Sequence, residues 1–367
     1  LGKRNTKSII GPSSGFHAAG GHKIDLPACL SGMGVLAGKG APVTRSGLIR
    51  LCLVVLIGAA AAPMSASQAT PAYSVISTVP FVVEGQQLRT FVFDPVGNRF
   101  FAGSDRGLFW IDLNESNPRL KGPLVKHDII RIEVAPDVGR LFYLTPEELW
   151  SLDIRNPSEP VLIGAGRAYD LAYEPTRKEV YVTPRLPVIW VISALTGERA
   201  PDIKLPGWLG RGLEASPGRV FLDVEGQPDL YVVDAKTREV SPWKVKGSFV
   251  PPGYLDADPK GRYLFARYDR YVVAIDIETA TVVDRLVMLT PPSIAYDPGA
   301  ERLIVTWNDE LVRDVSIGVY RIDARGFTEE RRLRNPRLGR SGVEPTSFGF
   351  VQQAQYAMYV WAMPRKP

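Results

Sequence analysis

The chain has 367 residues, 45% hydrophobic and 10% aromatic, enough for one large domain or two to three average ones. Its 34 Gly and 31 Pro suit a fold with many tight turns and argue against a helical one. The formal net charge of +5 does not mark a nucleic-acid binder, because seven basic side chains and one acid precede residue 70, leaving 37 basic and 38 acidic groups beyond it.

Cysteine and histidine usage narrows the chemistry further. Cys29, Cys52, His17 and His22 all precede residue 70, and the rest of the chain keeps a single histidine, His127. Disulfides, thiolate metal sites, c-type haem attachment and a cysteine nucleophile are therefore excluded beyond residue 69, and no cofactor or metal is expected there.

In chain order, residues 1–44 show no periodicity and stay unassigned; with Leu1 in first place, Met33 is the expected initiator. Residues 45–69 read as a signal peptide. Arg45 and Arg50 precede the apolar run Leu51–Ala62, and Ser67 and Ala69 fill the −3 and −1 positions of a small-residue cleavage site. That run of twelve falls short of the roughly 20 residues a spanning helix needs. The expectation is cleavage after Ala69, no stable membrane anchor, and a periplasmic or secreted domain over residues 70–367.

From Gln87 onward one phrase returns six times: a short apolar strand, a turn with Pro, then a basic residue opening a second strand. The instances run Phe93-Asp94-Pro95 to Arg99, Val134-Ala135-Pro136 to Arg140, Tyr173-Glu174-Pro175 to Lys178, Ala215-Ser216-Pro217 to Arg219, Ala257-Asp258-Pro259 to Arg262, and Tyr296-Asp297-Pro298 to Arg302. The prolines are spaced by 41, 39, 42, 42 and 39 residues. A second marker keeps the same period, with apolar–Asp pairs ending a third strand at Asp112, Asp153, Asp234, Asp276 and Asp323, and Ser193 in the third unit. In the second unit the strands are expected at Ile129–Val134, Leu141–Leu144, Leu149–Asp153 and Pro160–Gly164.

No run has room for a helix, which excludes alternating βαβ folds. Four strands per unit of about 40 residues is the β-propeller blade. The expected fold is all-β, a propeller of seven four-stranded blades. After Asp323, strands are expected at Thr328–Leu333, Thr346–Phe350 and Gln355–Trp361, and the strand Tyr73–Val79 can pair only with this last unit. The last blade is thus closed by the N-terminal strand.

The phrase Lys178-Glu179-Val180-Tyr181-Val182-Thr183, followed by Val188-Ile189-Trp190-Val191-Ile192 and Thr196-Gly197-Glu198, resembles the YVTN β-propeller repeat. The likeness covers residues 87–323 and, loosely, 346–361; the turn Asp often precedes the Pro here, and no Asn follows Thr183. The resemblance implies an extracytoplasmic, non-catalytic binding or scaffold protein. A more distant likeness, to the propeller large subunit of quinoprotein amine dehydrogenases, implies a partner subunit that carries the quinone. A propeller lactonase is a third reading, for which a single histidine is a poor fit.

The repeated carboxylates, including Asp94, Asp258 and Asp297, sit at turn positions and are expected to accept backbone N–H bonds there. Arg331, Arg332, Arg334, Arg337 and Arg340 form the densest charge run, expected as a solvated loop paired with Glu329, Glu330 and Glu344. The connections leading into the innermost strands are the candidate binding face. They carry His127, Arg167, Tyr169, Trp208, Arg211 and Tyr254, which blade geometry would gather at one mouth of the channel. Guanidinium and aromatic groups in this arrangement fit a protein partner or a small anionic ligand. No Gly-x-Ser-x-Gly elbow accompanies His127, so a hydrolase triad is not expected.

Overall fold

The computed structural model describes residues 74–80, 88–157, 159–247, 254–297, 301–309, 314–335, 342–346, 349–353 and 357–362, all within the unit Ala69–Pro367. The expectations for an initiator at Met33 and for a signal peptide over 45–69 lie outside the described residues.

Seven antiparallel four-stranded sheets form the blades. Their first strands are Leu88–Asp94, Arg131–Ala135, Ala168–Glu174, Leu209–Ser216, Tyr254–Ala257, Ser293–Asp297 and Gly342–Thr346. Each of these lies beside the first strands of the blades before and after it, including the last against the first, so they ring a central channel. Blade two runs Arg131–Ala135, Arg140–Leu144, Glu148–Asp153 and Val161–Ala165, within two residues of the expected limits. Blade seven takes Gly342–Thr346, Gly349–Gln353 and Ala357–Ala362 from the C-terminus, and Ser74–Pro80 adds on as its outer strand. Ser74 pairs with Ala362 and Pro80 with Ala357.

Three local expectations are corrected. The strand expected at Thr346–Phe350 is two strands, since Thr346 pairs with Gly349 across a hairpin. In blade three the slot that opens the second strand holds Glu179, opposite Glu174, and not Lys178. Lys178 has φ 56°, the left-handed conformation that Gly139, Gly218 and Gly261 supply in other blades with φ between 74° and 78°. The arginine run does not start in a loop: Arg331, Arg332 and Arg334 lie in Gly326–Asn335, the outer strand of blade six. There Glu329 accepts from Arg332 at 2.7 Å, and Glu330 takes Arg302.

The carboxylates at the turns act as the spacing implies. Asp94, Asp258, Asp112, Asp153, Asp234, Asp276 and Asp323 each accept an N–H two or three residues ahead. The basic residue that opens the second strand reaches the next blade. Arg99 donates to the Ile154 carbonyl at 2.9 Å and Arg219 to that of Ile277 at 3.0 Å.

The apolar core lies between blades, in layers. Phe142, Leu149, Tyr173, Val180 and Trp190 join blades two and three, and Tyr263, Phe265, Tyr296 and Leu303 join blades five and six. The second and third strands therefore bury residues on both faces, as in Glu179–Pro184, where every residue is buried. A continuous apolar run is the sequence form of such a strand.

Candidate functional site

A cavity of about 1230 Å³ opens at the mouth where the chain enters the innermost strands. Two kinds of connection build it. The lead-ins to the inner strands give Tyr169, Trp208 and Tyr254, and the hairpins between second and third strands give Arg185, Glu225, Gln227 and Asp269. Arg267 and Tyr268 follow from the end of the second strand in blade five.

Four rings stand half-exposed around this opening: Tyr169 (54%), Trp208 (53%), Tyr254 (45%) and Tyr268 (46%). Tyr254 is held by Arg267, whose guanidinium carbon lies 3.7 Å from the ring centroid and which also donates to the Pro292 carbonyl. Burial lowers the Arg267 pKa.

Near Trp208 the inner strand of blade four is irregular, its register shifting between Leu209 and Leu213. A Cβ at Gly210 would lie 2.0 Å from Asp223 Oδ2, so a side chain here would displace the Asp223 carboxylate on the second strand.

The six candidate residues separate in space. Tyr169, Trp208 and Tyr254 line the cavity, whereas His127 and Arg167 are not among its described lining residues. The His127 Nδ1 is hydrogen-bonded to the Tyr143 hydroxyl at 3.0 Å, and its ring lies 4.7 Å from that of Trp150, both in its own blade. Arg167 donates to Glu147 at 2.8 Å, an exposed pair that bridges blades two and three. Arg211 lies on the inner strand of blade four, and its side chain is outside the described residues.

Two of the four arginines among the described lining residues are engaged with carboxylates. Arg89 pairs with Asp128 at 2.6 Å, and Arg131 with Asp170, also at 2.6 Å, across blades two and three. Among the described lining residues there is no histidine, cysteine or serine. Among the described residues no group of three or more His, Cys, Asp or Glu is placed to hold a metal.

Around the Arg131–Asp170 pair the inner strands carry a set of acids that the sequence reading passed over. Glu133, Asp170, Glu214 and Asp256 project from the inner strands of blades two to five. They keep some contact with the bore, but protein surrounds them. Burial pushes Glu133 up to about 8 and Asp256 up to about 7. Glu214 rises well above the usual carboxylate range through burial and then the neighbouring Asp256 and Glu133. Asp170 is raised by burial against the pull of Arg131. A signal was present: Glu133, Glu214 and Asp256 each stand three residues before the repeat proline.

The fold and the mouth define a β-propeller with an aromatic-rimmed cavity over its channel. Solved structures agree on the fold. A chain of the mitotic checkpoint complex matches with a TM-score of 0.64 at 11% identity, over 83% of this chain and 98% of that one. The WD40 repeats of RRP9 match with a TM-score of 0.64 at 8% identity, over 80% of this chain and all of that one. No protein-family model and no curated protein matches the sequence.

Proposed function

We propose that this chain is an exported, non-catalytic β-propeller that holds a protein partner on the face where the cavity opens. The observation that carries this reading is the set of half-exposed rings, Tyr169, Trp208, Tyr254 and Tyr268, gathered with Arg185 and Arg267 at one mouth. Trp, Tyr and Arg are the residues that dominate binding energy in protein interfaces. A cluster of exposed apolar surface rimmed by charge is also where such interfaces form. A small anionic ligand is less well served, because Arg89, Arg131 and Arg167 already hold carboxylates.

A photo-reactive residue in place of Gln227, on the cavity wall, is expected to trap a discrete protein in the native host. The same probe at Val96, in the turn at the opposite end of an inner strand, should trap none. Trp208→Ala should lower the yield about tenfold or more, since a central Trp contributes roughly 2 kcal/mol or more. Equal trapping from both faces, or indifference to Trp208, would remove the case for this mouth.

The extracytoplasmic half of the reading rests on the Arg45–Ala69 leader and on the YVTN resemblance. Mass spectrometry of the exported protein should find a mature N-terminus at Thr70. An N-terminus at Leu1 or Met33 would overturn it.

A further inference from the structure

We propose that Glu133, Asp170, Glu214 and Asp256 form a proton-operated clasp, in which bound protons let blades two to six close around the channel and their loss loosens the inner strands. The geometry supplies both halves of the device. Three of the acids bond across a blade boundary: Glu133 accepts from the Tyr173 amide, Asp170 from that of Leu213, and Asp256 from that of Tyr296 at 3.0 Å. Each boundary between blades two and three, three and four, and five and six is thus held at the channel by a carboxyl group. Glu214 accepts from the adjacent Ala215 amide, at 3.2 Å, and is coupled to the charges of Asp256 and Glu133.

Charge counting decides how these groups must be held. The described cation in the ring is Arg131, and Asp170 already engages it at 2.6 Å. Among the described side chains Glu133, Glu214 and Asp256 then share the bore with no second positive group (the side chain of Arg211, on the inner strand of blade four, lies outside them), so ionising all three would place like charges together in a half-buried setting. Groups on the surrounding elements do not relieve this. Arg89 of blade one is paired with Asp128, Asp258 at the turn of blade five adds negative charge, and the inner strand of blade six carries only Asp297, at its end. Glu344 lies on the inner strand of blade seven. An ionised carboxylate would accept its amide bond more strongly, but the cost of burial is the larger effect at Glu133 and Asp256.

The sign follows from linkage. These carboxyls are raised in the folded state, so the folded protein holds more protons than the unfolded chain from about pH 4.5 up to about pH 8. Stability is therefore lost as pH rises through that window and levels off above it. The exposed Asp234, Glu301 and Asp323 are lowered and act in the opposite sense, but only in acid below that window.

The test uses the mature 70–367 domain. Its thermal midpoint is expected to fall by roughly 5–10 °C between pH 5 and pH 9, and Glu133→Gln combined with Glu214→Gln should flatten most of that slope. If the double variant does not fold, hydrogen exchange in the wild type answers the same question. After correction for intrinsic rates, the Tyr173, Leu213 and Tyr296 amides should lose protection from pH 5 to pH 9. The Ile154 amide, bonded to the Gly139 carbonyl at the far side of blade two, should keep its protection. A flat midpoint in the wild type, an unchanged slope in the variant, or equal loss of protection at Ile154 would overturn the clasp.

Discussion

Deleting residues 70–80 from the mature chain is expected to lower the thermal midpoint by about 5–15 °C and to make the protein prone to aggregate. Ser74–Pro80 is the outer strand of blade seven and pairs the beginning of the propeller with its last strand, Ala357–Ala362. Its six register pairs with Ala357–Ala362 contribute roughly 0.2–1 kcal/mol each, or about 1–6 kcal/mol together. Without them Ala357–Ala362 becomes an edge with unpaired N–H and C=O groups, a template for other chains. A permuted chain separates pairing from mere chain length. Because Ser74 lies opposite Ala362, a short turn joining Ala362 to Ser74 would make a hairpin, with the new N-terminus at Leu88. Thermal melts and size-exclusion chromatography should show the permutant restored and the deletion impaired. A deletion that melts like the wild type would mean that the ring closes without this strand.

The second large effect is expected at Phe142, which is fully buried where blades two and three meet Leu149, Tyr173, Val180 and Trp190. Phe142→Ala should cost about 3–5 kcal/mol, because the lost ring leaves a cavity that rigid strands on both sides cannot fill. Phe142→Leu, which keeps most of the volume, should recover more than half of the loss. Val96→Ala, at a 72% exposed turn, should stay within about 0.5 kcal/mol of the wild type. Denaturant unfolding of the three proteins decides the point. A loss at Phe142 as small as that at Val96 would contradict an inter-blade core.

Much of the fold was legible because a propeller is written in local chemistry. The turns after the inner strands of blades one, three and five carry a carboxylate that caps an N–H, and a residue at positive φ recurs in blades one to six at one period. Strand limits in blade two came within two residues. The errors fall where local signals compete. At Lys178 a basic residue took the left-handed position, so the strand start was set one residue early. At Thr346–Phe350 the flanking Pro345 and Gly349 were passed over as turn signals, and one strand was read across the hairpin.

The site was legible only in part. Lead-in connections alone were considered, which named Tyr169, Trp208 and Tyr254 but omitted Arg185, on a hairpin, and Arg267 and Tyr268, at the end of a second strand, on the same face. His127 and Arg167 sit in the same kind of lead-in as Trp208, and nothing in sequence separates them. Their partners Tyr143 and Glu147 lie 16 and 20 residues away and are set by how blade two folds. The acids are the clearest division between the two levels. A lone Glu or Asp in a strand reads as the solvent side of an alternating pattern. By itself the sequence determined the period, the turns, the blade count and the closing strand, because these follow from spacing and turn chemistry. Only the tertiary structure decided that Glu133, Asp170, Glu214 and Asp256 face one another, because closing the ring turns the free faces of separate inner strands into the wall of a single narrow channel.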